Sequence, residues 1–112
     1  MGLVNLNLSD FAVNVAKDIR NSDTVTEISA TATASVALPA NPDRGPYSIY
    51  NAGPETVFVR ENETVTAVLY KYPIPPGYLF ESEVTSSRYT GAISVITASG
   101  TSNLMVSEST IA

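Results

Sequence analysis

Glu61 and Glu63 flank an expected turn, and Glu81 and Glu83 lie two apart on an expected strand, where side chains two apart point the same way. Paired carboxylates carry out glycoside hydrolysis when held roughly 5 to 9 Å apart, and they also ligate hard cations. Neither pair supplies the six to eight oxygens a calcium ion takes, and no Asp-rich calcium loop occurs. Both pairs are therefore expected to be solvated charges on a strand and a turn. Serine and threonine abound, but a serine nucleophile needs an activating base. The chain has no histidine and no cysteine, no Gly-x-Ser-x-Gly elbow and no Ser-x-x-Lys motif. No catalytic, cofactor-binding or metal-binding residue is expected, and neither an enzymatic reaction nor a small-molecule substrate.

The 112 residues are near the modal length of one domain, long enough to bury roughly two-thirds of the unfolded surface. Only 15% of them are charged, against about 25% in a typical soluble domain, and Thr, Ser, Val and Ala fill the difference. A net charge of −5, with Lys17, Arg20, Arg44, Arg60, Lys71 and Arg88 scattered, argues against a nucleic-acid surface. No apolar run approaches a membrane span, so no membrane partner is expected. Met1-Gly2-Leu3-Val4 lacks the basic start of a secretory signal, and Leu6 stands where a myristoylation signal wants Ser or Thr. The expectation is a chain made in a cytoplasm and kept whole.

The elements that would position any site are short strands, each closed by its own turn. Tyr47–Tyr50 stops at Asn51-Ala52-Gly53-Pro54, and Thr56–Arg60 stops at Glu61-Asn62-Glu63. Ala92–Ala98 turns at Ser99-Gly100, read as a two-residue hairpin, into Ser102–Ser107. Thr24–Ser29 leads into an alternating run to Leu38, with small apolar residues on even positions from 30. Pro39–Pro46 then reads as a loop that cannot be a central strand, because proline donates nothing to a ladder. Tyr78–Val84 is a further strand and Ser86–Gly91 a loop. Such spacing predicts an all-β, single-domain, jelly-roll-like β-sandwich of about eight strands, residues 24–112, behind an N-terminal arm, residues 1–23. Asn62-Glu63-Thr64 matches the N-glycosylation sequon and marks an exposed turn.

Two stretches are candidates for partner contact. In the arm, Leu3, Val4, Leu6, Leu8, Phe11, Val13 and Val15 form either the first strands of the sandwich or an extended apolar segment that adds to another subunit's sheet edge. From residue 9 to 20 the arm carries both a helical spacing (Phe11, Val15, Ile19) and a strand alternation (Phe11, Val13, Val15), and two β-branched valines favour strand. The second stretch, Lys71–Tyr78, holds three prolines in four residues and takes a polyproline-like course. It reads either as a rigid connection between sheets or as a stiff contact patch for a partner, formed by the flanking Tyr72 and Tyr78 with Ile74 and Pro76. Pro73 and Pro76 also meet the minimal Pro-x-x-Pro spacing.

The runs Tyr50–Arg60, Tyr72–Tyr78 and Gly91–Thr101, read as "NAG, V-x-V-R", then "P-x-P-P-G", then "I-T-A-S-G-T", cover about residues 46 to 108. In that order they resemble the capsid-decorating, or head-accessory, proteins of tailed bacteriophages, capsid staple proteins of short-tailed phages among them. The resemblance implies a jelly-roll-like sandwich on the outer surface of a virion. It would bind the major capsid (coat) protein, bridge coat subunits and assemble as a homo-oligomer on the shell. No catalytic residues carry over. The alternatives are a tail, neck or baseplate component, and a carbohydrate-binding β-sandwich module, against which the absence of Trp counts.

Overall fold

The computed structural model describes residues 20–82 and 88–111. Among them are eight strands: β1 Arg20–Ala30, β2 Ser35–Leu38, β3 Arg44–Asn51, β4 Val57–Arg60, β5 Tyr72–Ile74, β6 Leu79–Glu81, β7 Ile93–Thr97 and β8 Ser102–Ile111. They form two four-stranded sheets, ordered β1-β8-β3-β6 and β2-β7-β4-β5, with every pairing antiparallel. The first strand pairs with the last, the second with the seventh, the third with the sixth and the fourth with the fifth. This is one long hairpin wrapped around a barrel-like core, the jelly-roll topology the sequence predicts.

Wrapping corrects one expectation. Ser99-Gly100 does not close a hairpin, because β7 and β8 lie in opposite sheets. The turn carries the chain across the sandwich, with Gly100 at φ 74° and the Thr97 hydroxyl donating to the Gly100 carbonyl at 2.8 Å. A second correction falls on the run to Leu38. Its alternation breaks at residues 31–34, where the chain leaves β1 for β2 in the other sheet. The Thr31 hydroxyl bonds the Thr33 backbone, and the Thr31 carbonyl accepts from the Thr97 amide at 2.9 Å, anchoring that corner to β7. β1 also starts at Arg20, so the last residues assigned to the arm belong to the first strand. Leu3, Val4, Leu6, Leu8, Phe11, Val13 and Val15 lie outside the described residues.

A third correction concerns Arg44, Gly45 and Pro46, read as loop but found at the start of central strand β3. Opposite β8, Arg44 pairs with Thr110 and Tyr47 with Glu108, so three steps on β3 oppose two on β8. This bulge admits a proline into a central strand. It also changes what faces inward. Residues 44 and 47 would otherwise point to opposite faces, and the extra residue turns both side chains into the sandwich.

Between the sheets lie Ile49, Leu104 and Val106 from the first and Val57, Val59, Ile74, Ile93 and Val95 from the second, all essentially buried. Full burial of such a side chain stabilises by about 1.5–3 kcal/mol. The two ends of this apolar layer are closed by polar residues.

At one end Arg44 is fully buried. Its Nε donates to Glu108 Oε2 at 2.8 Å, Nη1 to the carbonyls of Tyr89 and Gly91 at 3.1 and 2.8 Å, and Nη2 to the Pro39 carbonyl at 2.6 Å. At the other end Asn51 is equally buried. Its Nδ2 donates to the carbonyls of Glu55 and Ile74 at 2.7 and 2.8 Å, and its Oδ1 accepts from the Gly53 amide and the Ser102 hydroxyl at 3.1 and 2.6 Å. Asn51 is thus the last residue of β3 and a hub, where the sequence suggests a turn residue. Gly53 beside it must stay glycine, since a Cβ there would stand 2.6 Å from the Asn103 amide nitrogen.

Two substitutions test these closures. Arg44→Met should lower unfolding free energy in urea by about 3–5 kcal/mol, because it strands Glu108 and three carbonyls. Asn51→Asp, equal in size, faces a carboxylate with two carbonyl oxygens. It should cost about 3 kcal/mol at pH 7, and less at pH 4, where a protonated acid regains one donor.

Candidate functional site

Among the described residues, the side chains of Tyr47, Tyr72, Glu61 and Lys71 form one hydrogen-bonded cluster of titratable groups. Tyr47 comes from β3 through the inward alternation with Ile49, and Tyr72 from edge strand β5, opposite Val59. Glu61 and Lys71 stand at the two ends of the loop joining β4 to β5. The Tyr47 hydroxyl donates to Glu61 Oε2 at 2.9 Å and lies 2.9 Å from the Tyr72 hydroxyl. Since the Tyr47 proton is committed to the carboxylate, Tyr72 is the donor of the second bond. Lys71 Nζ reaches Glu61 Oε1 at 2.6 Å, and Phe80 stacks on Tyr72 with centroids 3.9 Å apart.

This cluster is chemically closed. Burial pushes the Tyr72 phenol well above its ordinary value of 10.0, and its coupling and hydrogen bond to Tyr47, with the nearby Glu61 carboxylate, add to the shift. Burial likewise raises Tyr47, outweighing the bond it accepts from Tyr72. Neither phenol is an effective proton acceptor near neutrality, and both Glu61 oxygens are engaged. Glu61, expected to be a solvated turn charge, is instead the terminus of a hydrogen-bonded row. Glu81 is exposed on β6, and Glu83 lies outside the described residues. Asn62 and Thr64 of the sequon are exposed, with Asn62 Oδ1 accepting from the Thr64 amide in a local turn.

The residues expected to touch a partner divide by burial. Ile74 is in the core, and Tyr72 is packed against it by the network just described. Pro76 and Tyr78 face outward from the turn between β5 and β6, with Tyr78 64% exposed. Tyr78 adjoins a row the sequence reading missed: Leu79, Tyr50 and Met105, cross-strand neighbours on the outer face of the first sheet and all exposed. The alternation of β3 and β8 carried the signal, since Ile49 and Val106 inward imply Tyr50 and Met105 outward. A second apolar tip, also missed, crowns the β4–β5 loop. There Val68 is 90% exposed and Leu69 and Tyr70 follow it, with Tyr70 tilted on Phe58 at 4.6 Å. The Thr66 hydroxyl accepts from the amides of Val68 and Leu69 and holds the tip in shape.

No protein-family model matches this chain, and no curated protein matches it. Among solved structures it is similar to one from a study titled "Bacillus endospore appendages form a novel family of disulfide-linked pili". The two are 15% identical with a TM-score of 0.44, over 81% of this chain and 87% of that one.

The two phenols give the fold a pH dependence with a definite sign. Unfolded tyrosines lose their protons near pH 10, whereas Tyr47 and Tyr72 keep theirs when folded. Above that pH the unfolded state binds fewer protons, so stability is full below about pH 10 and falls as pH rises. Urea melts between pH 8 and 11 should show this decline, and Tyr72→Phe should reduce its slope to roughly half.

Proposed function

We propose that this chain is a non-enzymatic structural protein of a virion, a decoration protein that binds the outside of a phage head and bridges coat subunits. The observation that carries the reading is the pair of exposed apolar tips at the two ends of β5, Val68-Leu69-Tyr70 and Pro76-Tyr78-Leu79. Single exposed apolar residues are ordinary on any surface, whereas clusters fixed on rigid turns are contact surfaces. Two such clusters on one small body suit a bridge between two neighbours. The phage-like loop and strand motifs, the jelly-roll body and the closed Tyr47–Glu61 cluster support the same reading. Tyr78 is of a residue type enriched at interface hot spots, losing little side-chain freedom when bound.

Bridging stabilises a shell by mass action. A ligand that binds only the assembled lattice contributes about 2.7 kcal/mol per site at a hundredfold excess over its Kd. Repeated over an icosahedral lattice, with copies touching one another, that increment opposes internal DNA pressure. The chain would be made in the host cytoplasm and reside on the capsid surface.

Co-sedimentation with empty coat shells tests this. The wild-type chain should saturate the shells, and Tyr78→Ala and Val68→Asp should each weaken binding by about tenfold or more. Both residues are exposed, so melting temperatures should stay near the wild type. Wild-type protein that stays in the supernatant, or variants that bind as tightly as wild type, would contradict the proposal.

A further inference from the structure

On the outer face of the first sheet, beside the β3 bulge, lies a recess of about 260 Å³ lined by Pro46, Tyr47, Ser48, Glu81, Ser82, Ser107 and Ser109. Its floor follows from strand register. Ser48 pairs with Glu81 on one side and Ser107 on the other, which sets three polar side chains abreast on one face. Ser109 continues the same face of β8, and the bulge presents Pro46 at the rim.

Several polar groups of this recess remain available to a ligand. Ser48 and Ser107 bond each other at 2.5 Å, which uses one of their two protons. Ser82 Oγ accepts from the Tyr47 amide at 2.8 Å, and its own proton has no acceptor among the described residues. The Ser109 hydroxyl and the Glu81 carboxylate likewise have no hydrogen-bond partner among the described residues. Among the described residues, the recess therefore offers three hydroxyl donors and one two-oxygen acceptor beside the apolar edge of a proline ring.

That combination selects a ligand class by elimination. An anion would meet Glu81 with no Lys or Arg in the lining. A hard cation takes six to eight oxygens, several of them charged, and one carboxylate is present. An apolar ligand would leave the hydroxyls unpaired, which is costly. A neutral polyhydroxylated ring satisfies every group. Two vicinal hydroxyls donate to the Glu81 oxygens, ring and exocyclic oxygens accept from the serines, and the C–H face lies on Pro46.

We infer that this recess is a monosaccharide-binding site whose specificity rests on a vicinal diol held by Glu81. It is independent of shell binding, since none of its lining residues belongs to the two apolar tips. The site is small and open, so an affinity on the order of millimolar is expected.

The test is a two-dimensional ¹H–¹⁵N NMR titration of the full chain with glucose, galactose, rhamnose and N-acetylglucosamine, and separately with calcium chloride. At least one sugar should shift the amides of Ser48, Glu81, Ser107 and Ser109 in a saturable way. Glu81→Gln, at an exposed position, should retain the wild-type melting temperature and weaken that sugar on the order of tenfold. Ser109→Ala should weaken it less. No shift from any of the four sugars at about 100 mM, a hundredfold above a millimolar Kd, would overturn the inference. So would equal affinity in Glu81→Gln, or a response to calcium alone.

Discussion

The buried guanidinium of Arg44 is the constraint on which the rest of this sandwich depends. Taking a charge out of water costs several kcal/mol, and only a full set of partners offsets it. Arg44 has those partners because the planar guanidinium fork reaches four acceptors at once: Glu108 on β8, Tyr89 and Gly91 before β7, and Pro39 after β2. A lysine, with three donors on a single nitrogen, could not span them. The carboxylate it meets is itself only 15% exposed and accepts a longer bond from Asn41. Each sheet thus sends a segment to the same cation. The bulge at Gly45-Pro46 makes this possible, since without it the side chain would face solvent.

Asn51 does for the opposite end what Arg44 does for the first, without charge. It joins the end of β3 to the start of β8, to the Glu55 carbonyl in the connection to β4, and to the Ile74 carbonyl in the second sheet. Between them, the two residues fasten the folded-over hairpin at both ends while valines and isoleucines fill the middle. Little interior polarity remains uncommitted. The exception among the described residues is the Ser94 hydroxyl, which is fully buried with no hydrogen-bond partner. The surface carries exposed tyrosines, aliphatic loop tips and rows of serine.

Much of the architecture was legible in the sequence. The β-branched and aromatic runs around Val57 and Ile93 marked strands, the turn residues after Arg60 and Ala98 marked strand ends, and their spacing indicated a sandwich of about eight strands. What could not be read was which strands pair. Ser99-Gly100 has the composition of a hairpin turn, and local sequence does not distinguish a hairpin from a corner that crosses between sheets. Arg44 and Asn51 were missed for a related reason. Both sit among Gly and Pro, where charged and amide residues ordinarily mark loops, and only the long-range partners at Glu108 and Ser102 make them interior. On the surface, Pro76 and Tyr78 emerged exposed as read, while Ile74 and Tyr72 went to the core, because β5 is a strand whose alternate residues turn inward. Glu61 reads locally as a solvated turn charge because its partner Tyr47 lies 14 positions away in sequence.

The central claim is that this protein works by holding neighbouring subunits together on a shell, and its location in an intact particle tests that most directly. Electron cryomicroscopy of virions whose genome encodes this chain should reveal the jelly roll on the outer capsid surface. It should appear at positions obeying the icosahedral lattice, with Val68 and Tyr78 against different coat subunits. Density confined to the tail or neck, or no density on the particle at all, would contradict the account.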